Sequence, residues 1–75
     1  MNPYQELANA IIVQAAKDYR SSLLALKKNP QKVDAAVCKY EVEHFFRSAW
    51  YRCLSSIEGE WIVRKLREEV GFDDT

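Results

Sequence analysis

The chain has 75 residues, with 11 Lys and Arg against 11 Asp and Glu and a formal net charge of zero. Apolar residues make up 48% and charged residues 29%, and there are only two Gly and two Pro. These values describe one small globular domain over 1–75, exclude a collagen-like repeat or a disordered chain, and argue against non-specific nucleic-acid binding, which draws on a basic excess.

The first predicted helix spans 3–28. Asn2 is placed to cap it and Pro3 suits its first position, where no amide hydrogen bond is lost. Tyr4, Leu7, Ala8, Ile11, Ile12, Ala15, Tyr19, Leu23 and Leu26 recur at helical spacing and form its expected core stripe. Val13 and Leu24 fall off that stripe. Lys27 and Lys28 favour the dipole at the last turn, and Asn29-Pro30 ends it, because a residue before Pro avoids the helical region.

A second helix is predicted over 33–47, with Ala35, Cys38, Val42, Phe45 and Phe46 towards the core. Val33, Val37, Tyr40 and His44 recur at four, three and four, which makes a second stripe. A helix apolar on two sides is covered on two sides, here by a later helix or by a partner. Ser48 is a good cap for a short linking helix over 48–54. Ser55-Ser56-Ile57-Glu58 has the capping-box spacing and predicts a last helix over 57–70, with Ile62, Val63, Leu66 and Val70 inward. Gly59 lies on its buried side, where a missing side chain lets another helix approach. Gly71-Phe72 fits a Schellman ending, and Asp73 to Thr75 are expected to fray. No segment alternates with period two. The fold class is therefore all-α: a compact bundle of three main helices plus a short linking helix.

No constellation points to catalysis. Glu41 and His44 have the Glu-x-x-His spacing of helical di-iron sites, but such sites need two copies and the chain has one His. His44 and Ser48 stand one turn apart, without an oxyanion loop or a third partner. Neither Gly belongs to a phosphate-binding loop. The expectation is no enzyme, no metal and no cofactor. Cys38 and Cys53 are read as small buried residues kept reduced. Apolar runs extend no further than Ala10 to Val13, far short of the roughly 20 residues a bilayer needs, and no basic n-region precedes an apolar stretch. A cytoplasmic protein is expected.

Two surfaces compete as binding sites. Aromatic residues crowd the second half, and Val37, Tyr40, His44, Trp50, Tyr51 and Trp61 form the candidate partner surface, since aromatics near Arg are common interface anchors. It would serve a homodimer or a foreign protein. The alternative is nucleic-acid binding by a helix-turn-helix-like second half through Arg47, Arg52, Arg64 and Arg67. Against it, Glu58, Glu60, Glu68 and Glu69 interleave with those arginines, and Glu60–Arg64 and Lys65–Glu69 have the spacing of surface pairs on a solvated helix.

Several blocks carry a resemblance: Glu6-Leu7-Ala8-Asn9-Ala10-Ile11-Ile12, Lys17-Asp18-Tyr19-Arg20, Lys27-Lys28-Asn29-Pro30, Phe45-Phe46-Arg47-Ser48-Ala49-Trp50-Tyr51, Gly59-Glu60 and Leu66-Arg67-Glu68-Glu69. Together the blocks resemble a family of small, mostly uncharacterised helical proteins of phages and prophages of Firmicutes. The second helix departs most from that pattern, at Val33, Val37, Cys38 and Tyr40. No activity is established for the family, so no functional residues carry over. The resemblance implies a phage gene product in the bacterial cytosol, a context in which small proteins often act by binding host machinery or defence components as regulators or inhibitors.

Overall fold

The computed structural model describes residues 2–72. The frayed end expected for 73–75 lies outside the described residues. Four helices make the architecture: α1 (Pro3–Lys28), α2 (Val33–Phe46), α3 (Ala49–Leu54) and α4 (Gly59–Val70). No strand occurs among the described residues. This is the all-α bundle with a short linking helix that the periodicity predicts.

α1 sets the long dimension. Its 26 residues run about 39 Å at 1.5 Å per residue, and the molecule is 41 Å long and about 20 Å across. The helix touches each of the other three. Its ends are held by the expected devices: Asn2 Oδ1 accepts from the Tyr4 amide at 2.9 Å, and Asn29 ends the helix in extended conformation before Pro30. Tyr19, Leu23, Val42, Phe46, Tyr51, Val63 and Leu66 form the core.

The core is shorter than α1. Tyr4 and Leu7, expected in the core stripe, are exposed, because the first turns of α1 extend past α2 and α4 and face only the small α3. Cys53, expected buried, is exposed on α3 for the same reason, whereas Cys38 is half-buried; both thiols are free.

Three boundaries differ from the sequence reading: α2 ends at Phe46 rather than at 47, α3 begins at Ala49 rather than at 48, and α4 begins two residues late. Ser55 does not cap α4; its hydroxyl accepts from the Ile57 amide at 3.0 Å and closes a turn in the linker. Glu58 takes the cap position with its backbone alone, so α4 begins at Gly59 rather than at 57. Gly59 makes the approach foreseen for it, since a Cβ there would lie 1.8 Å from the Phe46 carbonyl oxygen. At the other end Gly71 is left-handed (φ 75°), and the Phe72 amide donates to the Arg67 carbonyl at 2.9 Å, a Schellman closure.

Candidate functional site

α2 has two faces. At 3.6 residues per turn, Val33, Val37, Tyr40 and His44 fall within an arc of about 60°, on the opposite side of the helix from the buried Ala35, Val42 and Phe46. All four residues of that arc are exposed; Tyr40 keeps 71% of its surface in solvent and Val33 70%. Among the described residues the second stripe therefore has no intrachain cover. A run of two Val, a Tyr and a His pointing outward from the middle helix is the main apolar feature of the molecular surface on that side.

The inward side of α2 is fixed by a charged latch. Tyr19 of α1 donates to Glu43 Oε2 at 2.6 Å, and Arg67 of α4 reaches the same oxygen with Nη2 at 2.5 Å and Tyr19 Oη with Nε at 2.9 Å. Lys39 adds an ion pair at 3.0 Å from within α2. Burial pushes the Tyr19 hydroxyl up, and the Glu43 carboxylate beside it pushes further. Burial alone would raise Glu43, but the donors Tyr19, Arg67 and Lys39 outweigh it and hold its carboxyl below the usual range. Arg67 is shifted up by Glu43 and Tyr19 against the effect of its own burial. Three helices are thus joined through one carboxylate oxygen.

That latch sets Arg67 apart from the other candidate nucleic-acid contacts, because its guanidinium is tied to Tyr19 and Glu43. Of the four arginines, Arg67 is committed to the interior and Arg47 is paired with Glu60, leaving Arg52 and Arg64 as exposed side chains on different helices. The surface pairs also differ from expectation: Glu60 meets Arg47, Glu69 meets Arg20 at 3.1 Å, and Lys65 meets Glu68 at 3.5 Å. Tertiary neighbours and the i+3 residue outcompete the i+4 pairs, as their small intrinsic energy allows.

The aromatic candidates separate. Tyr51 is fully buried, with its ring set edge-on against Phe45 and Phe46 at 5.7 and 5.3 Å, so it belongs to the core and not to the partner surface. Trp50, its neighbour, turns outward with 57% exposure and packs its edge on Phe45. Trp61 points away from the core of α4, with Lys65 Nζ 5.8 Å from its ring. Tyr40 opens on the end of the bundle where α1 and α4 finish, whereas Trp50 faces α1 near Ile11. The α2 stripe is the continuous part of the predicted surface; Trp50 and Trp61 are separate exposed rings on α3 and α4.

Ser48 is fully engaged as the cap of α3, donating to the Phe45 carbonyl at 2.6 Å and accepting from the Tyr51 amide at 3.1 Å. Glu41 and His44, the Glu-x-x-His pair, are both exposed. No group of three or more metal-ligating side chains occurs among the described residues. No helix among them is long and apolar enough to cross a membrane.

Sequence reasoning missed Glu43 and Tyr19 as partners. The available signal was Glu43 itself, an acidic residue close to the apolar side of α2 between Val42 and Phe46. Comparison of the chain with protein-family models, with curated proteins and with solved structures finds no match.

Proposed function

We propose that this chain is a small phage-derived protein that acts by protein–protein contact, as a regulator or inhibitor of host machinery or defence, and not by catalysis. The observation that supports this reading is the outward stripe of α2: Val33, Val37, Tyr40 and His44 stay in solvent although Ala35, Val42 and Phe46 on the opposite face are buried. Apolar and aromatic side chains aligned at helical spacing are the anchors with which helices bind helices and grooves. The phage context comes from the sequence resemblance and supplies the class of partner.

The test is affinity capture with the intact protein and with a Val37→Asp, Tyr40→Asp double variant, read by mass spectrometry. Both positions are exposed, so the variant keeps its circular dichroism and its melting temperature. The reading requires a protein that the native chain retains and the folded variant loses. Identical retention by both removes α2 as the contact surface. For the nucleic-acid alternative, Arg52→Ala with Arg64→Ala is the informative pair, because replacing Arg67 breaks the latch.

A further inference from the structure

Between α1, α2 and α3, Ile11, Ala15, Val42, Phe45 and Trp50 line an open groove of about 340 Å³. Its size falls in the range of roughly 300–1,000 Å³ common for binding sites. Exposed Gln14, Asp18 and Glu41 complete its rim, and no cationic side chain lines it. Asp18 Oδ1 accepts from Gln14 Nε2, a neutral donor, at 2.9 Å. Glu43, Glu60, Glu68 and Glu69 each have a cation, whereas neither Asp18 nor Glu41 has an ion pair among the described residues. The remaining positions, Met1, Asp73, Asp74 and Thr75, hold no basic side chain. The two charges act on the same place: burial raises the pKa of the Cys38 thiol, and Asp18 and Glu41 raise it further.

The acidic rim continues along the seam between α1 and α2. Asp18 also borders the next groove, with Asp34 and Lys32, so three carboxylates stand against one lysine over the two grooves. Glu41 and Asp34 are seven positions apart, about 10.5 Å along α2. Glu41 lies one turn from Val37 and His44, so the seam borders the outward stripe. The other clefts lack this selection. The groove between the first turns of α1 and α3 has no charged residue. Where α1 and α4 finish, Lys27 is bonded to the Val70 carbonyl and Lys39 is paired with Glu43. Two copies joined through the seam by a two-fold axis would set carboxylate against carboxylate, which disfavours self-pairing there.

We infer that the seam takes a basic amphipathic helix of a protein partner, with one apolar side chain in the groove and Lys or Arg side chains over Asp18, Glu41 and Asp34. The inference rests on the protein-binding reading and adds the chemistry of the partner. The anchor displaces water from Ala15, Val42 and Phe45 beside the Trp50 ring. Basic side chains seven positions apart on the bound helix meet Glu41 and Asp34. Charges on an interface rim act chiefly on encounter and specificity, so binding weakens as salt rises.

The test is a fluorescence anisotropy titration with three fluorescein-labelled helical peptides: one with Leu along one face flanked by Arg at positions seven apart, the same peptide with Ser for Leu, and the same peptide with Glu for Arg. The first binds at least tenfold more tightly than the other two, and its affinity falls with added salt. The Asp18→Asn, Glu41→Gln double variant weakens it at least tenfold. Glu6→Gln with Glu58→Gln removes the same net charge away from the seam and leaves it unchanged. Circular dichroism confirms that both variants are folded. With Trp61 replaced by Phe, Trp50 is the one tryptophan left, and its emission shifts when the unlabelled peptide binds. Equal binding of the acidic peptide, no binding of the basic one, equal losses in the two double variants, or an unmoved Trp50 emission overturns the assignment. So does a dimer in light scattering that the Asp18→Asn, Glu41→Gln variant loses, which makes a second copy the occupant. The two readings can fail separately. A partner lost by the Val37→Asp, Tyr40→Asp variant but retained by Asp18→Asn, Glu41→Gln overturns the seam assignment and leaves protein binding standing. Binding of the basic peptide with no stripe-dependent partner overturns the capture reading and not the seam.

Discussion

The hydroxyl of Tyr19 donates to Glu43 Oε2 at 2.6 Å, and through that one oxygen α1, α2 and α4 are joined. A carboxylate with its side chain 8% exposed is costly unless fully partnered, and here Tyr19, Arg67 and Lys39 supply the partners. The inner side of α2 is therefore committed to structure, while its outer stripe stays in solvent.

Two tyrosines separate these roles. Tyr19→Phe deletes a donor to Glu43 and an acceptor for Arg67 and costs about 1.5–3 kcal/mol, the range for hydrogen bonds to charged groups. Tyr51 is equally buried, but its hydroxyl has no hydrogen-bond partner among the described residues. Tyr51→Phe is expected to be neutral or to stabilise by up to about 1 kcal/mol, since it removes an unsatisfied buried polar group. Urea titrations of the two variants check the opposite signs.

Acid should release the latch. The folded carboxyl of Glu43 lies below its unfolded value of about 4.3. The unfolded state thus binds the proton more readily. The stabilisation is present above the unfolded pKa and is lost as pH falls through the folded one. Glu43→Gln removes that dependence and lowers stability near neutral pH by about 2–3 kcal/mol, because Arg67 loses its charged partner. Stability measured from pH 7 to 3 should fall more steeply for the native chain than for Glu43→Gln.

Gly59 reverses the usual helix preference. On helix propensity alone, Gly59→Ala would gain about 1 kcal/mol. The added Cβ would meet the Phe46 carbonyl oxygen at 1.8 Å, and backbone cannot rotate out of the way. α4 must move off α2, and we expect a loss of about 3 kcal/mol or more, at the upper end of overpacking effects. A melting curve decides it.

The helices were legible because their signals are local. Asn2-Pro3, Asn29-Pro30, Ser48 and Gly71-Phe72 act on neighbouring amides and carbonyls, and each does in the structure what its chemistry predicts. The double-sided character of α2 was legible for the same reason: a four-three-four spacing fixes a direction on a helix without knowledge of its neighbours. What could not be read depends on how helices dock. Trp50 and Tyr51 are adjacent and similar in sequence terms, yet one faces solvent and the other fills the gap between Phe45 and Phe46. Arg67 reads as a surface residue until α1 brings Tyr19 beside it. Ser55 matches a capping box whose hydroxyl finds a nearer amide.

The outer stripe should be dispensable for folding. Tyr40→Ala and Val37→Ala change exposed positions, and each should alter stability by no more than about 0.5 kcal/mol. Unfolding by either would place that residue in the core and remove it from the candidate surface. Differential scanning calorimetry of both variants checks this.

The most direct measurement is photocrosslinking in producing bacterial cells, with a benzophenone side chain placed at Val37, at His44 and, as control, at Leu24. Leu24 is exposed and apolar to a similar degree as Val37 but lies on the outer side of α1. The α2 positions should yield the same discrete protein adduct and Leu24 should not. Adducts at Leu24 alone, or no adduct at either α2 position, would contradict the assignment of α2 as the recognition face.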